Sequence, residues 1–128
     1  MDDRLLPAVQ KAYDLNRWLL PHLAKLPRAY KFTLGDRLQV TALDLCLALV
    51  EAGHASAKDR PLYRADRLLD QLRILLRLAH DLGLFPAQRY EHAAERVAEL
   101  GRMLGGWKKR AAAKRVAEPS PAEAAAPP

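Results

Sequence analysis

Nucleophilic catalysis needs a hydroxyl or thiol held beside a base on a rigid frame, and this sequence offers few of either. The aliphatic hydroxyls are Thr33, Thr41, Ser56 and Ser120. Ser120 falls in a Pro/Ala-rich tail, and Ser56 in the loop Gly53-His54-Ala55-Ser56-Ala57-Lys58-Asp59. Cys46 is the single cysteine and lies among leucines, where a thiol behaves as a small apolar residue. One cysteine also excludes an intramolecular disulfide and a cysteine-cluster zinc site. A di-iron centre in a helical bundle requires a Glu-x-x-His on each of two helices and two further glutamates. Glu51-Ala52-Gly53-His54 is the one match, and it runs into a helix-ending glycine without a second copy. His22, His80 and His92 are isolated, and no glycine-rich loop is shaped to grip phosphate. The expectation is a protein that is not an enzyme and uses no metal or cofactor. What remains is binding.

The residues for binding are cationic. The formal net charge is +6 with a pI near 9.8, and arginine outnumbers lysine. Guanidinium groups suit bidentate phosphate contact, and an excess of positive charge points to a polyanionic partner, most commonly nucleic acid. The cations fall in three places. Lys25, Arg28, Lys31 and Arg37 interleave with Tyr30 and Phe32 in one short stretch. Arg60, Arg64 and Arg67 form one row, separate from Arg73 and Arg77, which lie with Asp66, Asp70 and Asp81 opposite the core face of the same helical segment. Lys108, Lys109 and Arg110, with Lys114 and Arg115, follow the last amphipathic segment.

The segments that must position these residues are helical. Leucine and alanine dominate, β-branched residues are scarce, and no alternating apolar run resembles a strand. At 128 residues the chain has room for one core. Helix 1 is expected from about Leu5 to Leu26, with Leu5, Ala8, Ala12, Leu15, Leu19, Leu23 and Leu26 as one stripe and Pro21 bending it. Pro27 then ends that helix, and Thr33, three residues ahead of Asp36, is placed to cap the next. Trp18 falls among polar positions, where it either lies over lysine stems or meets another chain. Helix 2, about Leu34 to Ala52, buries Leu34, Leu38, Ala42, Leu45 and Leu49, yet Val40, Leu43, Cys46, Leu47 and Val50 leave it apolar nearly all round. Such a helix needs cover on both sides. That cover is either a second copy of the chain or irregular packing within one subunit.

Gly53 is suited to the C′ position after helix 2. Helix 3, about 60–82, has Ala65, Leu68, Leu69, Leu72, Leu75, Leu76 and Ala79 as its core face. Its arginine row is mixed with Gln71, Ile74 and Leu78, a pattern suited to a flank that meets a neighbour. Helix 4, about 87–104, follows Pro86 and faces inward through Tyr90, Ala93, Ala94, Val97, Leu100, Gly101 and Leu104. Gly101 leaves room for close helix approach, and Gly105-Gly106 reads as a stop. The bundle is expected over 1–107, and 108–128 as a disordered tail, basic then Pro/Ala-rich. The lone thiol and a Met-Asp-Asp-Arg start that lacks a signal-peptide pattern fit a cytoplasmic protein. No apolar run approaches the roughly 20 residues that span a bilayer.

Four motifs occur in order along the chain. They are Trp18-Leu19-Leu20, Lys25-Leu26-Pro27-Arg28 leading into Phe32-Thr33-Leu34-Gly35-Asp36-Arg37, Leu72-Arg73-Ile74-Leu75-Leu76-Arg77-Leu78-Ala79, and Gly101-Arg102-Met103-Leu104-Gly105-Gly106-Trp107. Over about residues 10–108 they resemble the accessory variability determinant (Avd) proteins of diversity-generating retroelements. That family is grouped with the four-helix-bundle proteins first noticed in intervening sequences of ribosomal RNA genes. The resemblance implies an up-and-down antiparallel four-helix bundle assembled into a ring-shaped homopentamer. It also implies a non-catalytic protein that binds the retroelement's reverse transcriptase and template RNA and supports mutagenic cDNA synthesis. By position, Lys25, Arg28, Lys31 and Arg37 match the family's basic connector, and Arg73 and Arg77 its basic helix. The candidate oligomer interface is Trp18, Val40, Leu43, Leu47, Val50, Ile74 and Leu78. The alternatives are an intervening-sequence-type protein without a polymerase partner, and a helical protein-binding adaptor.

Overall fold

The computed structural model describes residues 1–117, with side chains to residue 114. A 3₁₀ turn (Asp3–Leu5) leads into α1 (Leu6–Ala24), followed by α2 (Asp36–His54), α3 (Asp59–Asp81) and α4 (Ala87–Ala117). No strand occurs among the described residues. Each helix packs on the next and α4 closes on α1. Contacts at two levels fix the directions as antiparallel: Asp2 N–H bonds Gly53 O while Asn16 reaches Ala42, Lys11 pairs with Glu99 while Trp18 meets His92, and Lys108 pairs with Asp66 while His80 stacks on Tyr90. The result is an up-and-down four-helix bundle, as expected.

The core is the set of stripes expected from helical periodicity. Leu5, Ala8, Ala12, Leu15, Leu19 and Leu23 from the first segment meet Leu38, Ala42, Leu45 and Leu49. Leu69, Leu72, Leu76, Val97, Leu100 and Leu104 complete it, and Phe85 plugs the end from the α3–α4 loop. Truncating one such leucine to alanine costs about 2–5 kcal/mol. Buried with this core are the polar residues Thr41 and, at the α1–α2 contact, Asn16. Its amide nitrogen donates to Ala12 O and Ala42 O, each at 2.9 Å, tying α1 to α2, while its Oδ1 has no partner.

The connectors differ from expectation in three places. Thr33 does not cap α2, because its hydroxyl donates back to Tyr30 O at 3.3 Å. Helical structure instead restarts at Pro27, whose carbonyl accepts from both Tyr30 and Lys31 N–H at 2.9 Å. A single turn, Arg28–Tyr30, then passes through a π-helical segment, Lys31–Gly35, straight into α2. The true connector is therefore Lys25-Leu26-Pro27. Gly53 lies inside α2 rather than after it, and the side chain of Met1 rests on it: a Cβ there would stand 2.7 Å from Met1 Cε. The C-terminal carbonyls of α2 are satisfied by Lys58, whose Nζ donates to Ala52 O at 2.8 Å and Ala55 O at 2.9 Å.

The third difference is the largest. α4 does not stop at Gly105-Gly106 but continues to Ala117. Neither glycine takes a positive φ, whereas Gly83, which does end a helix, has φ +76°. There Gly83 N–H donates to His80 O and Leu84 N–H to Ala79 O, the paired bonds of a Schellman cap. At 105–106 the apolar stripe continues through Trp107 and Ala111, which pack against the core. That burial outweighs the roughly 1 kcal/mol that each glycine costs a helix. Of the tail expected to be disordered over 108–128, residues 108–117 are helical, and 118–128 lie outside the described residues.

Candidate functional site

The bundle has two ends of different character, and the sequence-predicted cations divide between them. At the end carrying the α1–α2 connector, Lys25, Arg28 and Arg37 are exposed, while Lys31 is half-buried with its ammonium 5.6 Å from the Phe32 ring centroid. At the other end, where α3 begins and α4 runs out, are Arg60, Lys108, Lys109 and Arg110. Lys108 is tied to Asp66 at 2.9 Å, which pins α4 to α3. The connector cations and the 108–110 cluster are therefore brought to opposite ends rather than into one surface.

Between the ends, Arg64 and Arg67 stand exposed on α3, with the Arg67 guanidinium 5.0 Å from the Tyr63 ring centroid. Arg73 and Arg77 behave differently from a free basic face. Arg73 bonds Asp70 at 2.6 Å, and Arg77 lies 3.8 Å from Asp81. Gly101 was expected to admit a neighbouring helix; the space over it is filled by the Arg73 guanidinium, which a Cβ at that position would strike.

The apolar residues form an outward-facing set. Val40, Leu43 and Leu47 on α2 and Ile74 and Leu78 on α3 are exposed, with Leu47 at 63% and Ile74 at 64% of full accessibility. Val50 is half-buried. These helices adjoin one another, and a shallow groove between them is lined by Arg37, Thr41, Asp70, Gln71, Ile74 and Leu75. Leucine and isoleucine are thus exposed on two adjacent helices. Cys46 lies half-buried on α2, and burial pushes its thiol pKa up, so it is not a ready nucleophile.

Trp18 does not join that face. It sits at the seam of α1 and α4, its ring centroid 4.7 Å from His22 and 4.5 Å from His92. Arg96 Nε donates to His92 Nε2 at 2.8 Å, so that nitrogen acts as an acceptor. His22 is held below the usual histidine pKa, first by desolvation and then by Arg89, Lys25 and His92. The groups set against the Trp18 ring are imidazoles rather than lysine stems. The imidazoles beside it come from positions 22 and 92, and the second was invisible before the fold brought α4 against α1. Sequence reasoning also missed Arg4 and Lys58. They converge near Trp107 only because α4 is long enough to reach the N-terminal turn.

Among the described residues there is no group of three or more His, Cys, Asp and Glu that could hold a metal ion. Among the same residues, no helix is long and apolar enough to cross a membrane.

A sequence profile of bAvd-like proteins matches residues 6–111. The chain belongs to the bAvd-like family. The matched span opens on the first residue of α1 and closes at Ala111, so it includes the part of α4 beyond Gly105-Gly106. In the bAvd-like chain the family segment is thus the whole bundle with the end of its core stripe. No curated protein matches the sequence.

Proposed function

We propose that this chain is an Avd-type accessory protein of a diversity-generating retroelement. It assembles into a ring-shaped homo-oligomer, a pentamer by family resemblance, and presents cations at both ends to the element's reverse transcriptase and template RNA. It supports mutagenic cDNA synthesis without catalysing a step itself. The observation that carries the reading is the family match over the whole bundle. The exposed α2–α3 apolar face supports self-association, and the net charge of +6 supports a polyanionic partner.

Light scattering tests the assembly. The expected mass is several times 14.3 kDa, falling towards the monomer when Leu47→Asp and Ile74→Glu place carboxylates on the α2–α3 face. A monomeric wild type refutes it. RNA affinity should fall steeply with salt, since phosphate contacts release counterions. Replacing Arg28 and Arg77 by glutamate should weaken RNA or polymerase binding with helicity unchanged; unchanged affinity for both refutes the basic-surface assignment.

A further inference from the structure

At the end of the bundle where the chain begins, the N-terminal turn, the α2–α3 loop and the last described turns of α4 enclose a cleft. Its volume is about 510 Å³, within the range of small-ligand pockets, and its walls include Asp2, Arg4, Lys58, Trp107, Arg110 and Lys114. Trp107 is half-buried, packed on the core yet lining the cleft. Two guanidinium groups accompany its ring, Arg110 at 4.8 Å and Arg4 at 6.0 Å from the centroid.

The charges here are unequal. The Asp2 carboxylate is already engaged by Arg4 at 3.2 Å and Lys58 at 3.7 Å, and its bonds to Arg4 hold it below the usual carboxylate pKa. Arg110 and Lys114 form no ion pair with any described residue. The cleft thus combines an indole with Arg110, whose guanidinium lies by the ring, and Lys114, while a second carboxylate, Asp59, also lines its wall. A flat π-system bearing an anion answers both ring and cations. An unpaired nucleotide has that chemistry: bases stack on aromatic rings whatever their sequence, and phosphates pair with guanidinium and ammonium groups. A duplex keeps its base faces covered, and an acidic peptide would engage the cations without using the ring.

We propose that this cleft binds one unpaired nucleotide of a single strand, its base on Trp107 and its phosphate on Arg110 and Lys114. The proposal rests on the nucleic-acid reading above and places one contact within it.

The chain has two tryptophans, so Trp18→Phe leaves Trp107 as the sole reporter. That variant is titrated with a labelled ten-nucleotide single strand, the duplex of the same sequence, inorganic polyphosphate and poly-glutamate, following anisotropy and Trp107 emission. The single strand should bind and quench Trp107, and the duplex and the base-free polyanions should not quench it. Trp107→Leu, which keeps apolar bulk on the core, should weaken single-strand binding about 5- to 150-fold. Lys114→Glu, at an exposed position, should also weaken it, and provides the test if the Trp107 variant misfolds. Binding of the strand without a change in Trp107 emission overturns the cleft and leaves the wider basic surface standing. Quenching equalled by polyphosphate or poly-glutamate overturns it too, as charge alone would then suffice. If no nucleic acid binds at all, both readings fall.

Discussion

Replacing Gly105 and Gly106 together by alanine should stabilise the protein by about 1–2 kcal/mol. Both residues lie inside α4, both have helical backbone, and a Cβ at either meets nothing within 4 Å. The change therefore carries no steric cost. Each alanine recovers about 0.5–1 kcal/mol by restricting the unfolded chain and favouring the helix. Urea unfolding followed by circular dichroism at fixed protein concentration should show a higher midpoint with an unchanged m-value. The sign is the discriminating feature. If the two glycines ended the helix, one would sit in the left-handed region, and alanine there would cost about 1–2 kcal/mol instead. Gly83→Ala supplies that comparison within the same protein, because φ at Gly83 is +76° and the substitution should destabilise. A double variant that is destabilised, or no more stable than wild type, refutes the continuous helix. The cleft around Trp107 would then lose its wall.

Two further expectations concern buried and clustered groups. Asn16→Asp sets a carboxylate where an amide donated to two carbonyl oxygens, so at neutral pH it should cost about 3–5 kcal/mol as an unpaired buried charge. Its folded pKa is raised, so acidification should restore stability; equal loss at pH 4 and pH 7 in denaturant titrations would contradict this. His22 has the opposite linkage. Its folded pKa is lowered from 6.5, so the folded state binds fewer protons and stability should decline as pH falls through that value. His22→Gln should flatten this slope, and an unchanged slope would show that another group titrates there.

Much of the fold was legible in the sequence because a bundle core is a problem of period. Leucines three and four apart can share a face only on a helix, and Leu15, Leu45, Leu72 and Leu100 all went inside. The points that were not legible were local contests. Glycines at 105–106 and at 83 look alike in sequence, and what separates them is whether apolar residues beyond have a core to reach; Trp107 and Ala111 do. Thr33 looked like a cap because its spacing to Asp36 is right, but Pro27 begins the helical path earlier. For the site, the exposed apolar face was readable, since Val40, Leu43 and Leu47 exceed what one core can cover. The pairs of Arg73 with Asp70 and of Arg77 with Asp81 follow the three- and four-residue spacing of a helix and were readable, but the His22–Trp18–His92 cluster and the meeting of Arg4 with Trp107 depend on contacts between distant segments. No spacing rule encodes those.

The proposed role is tested most directly by mixing the purified chain with the reverse transcriptase of the proposed retroelement and measuring mass by size exclusion with light scattering. One peak containing both proteins is expected, with a mass equal to an oligomer of 14.3 kDa subunits plus the polymerase. Two separate peaks at every salt concentration would contradict it.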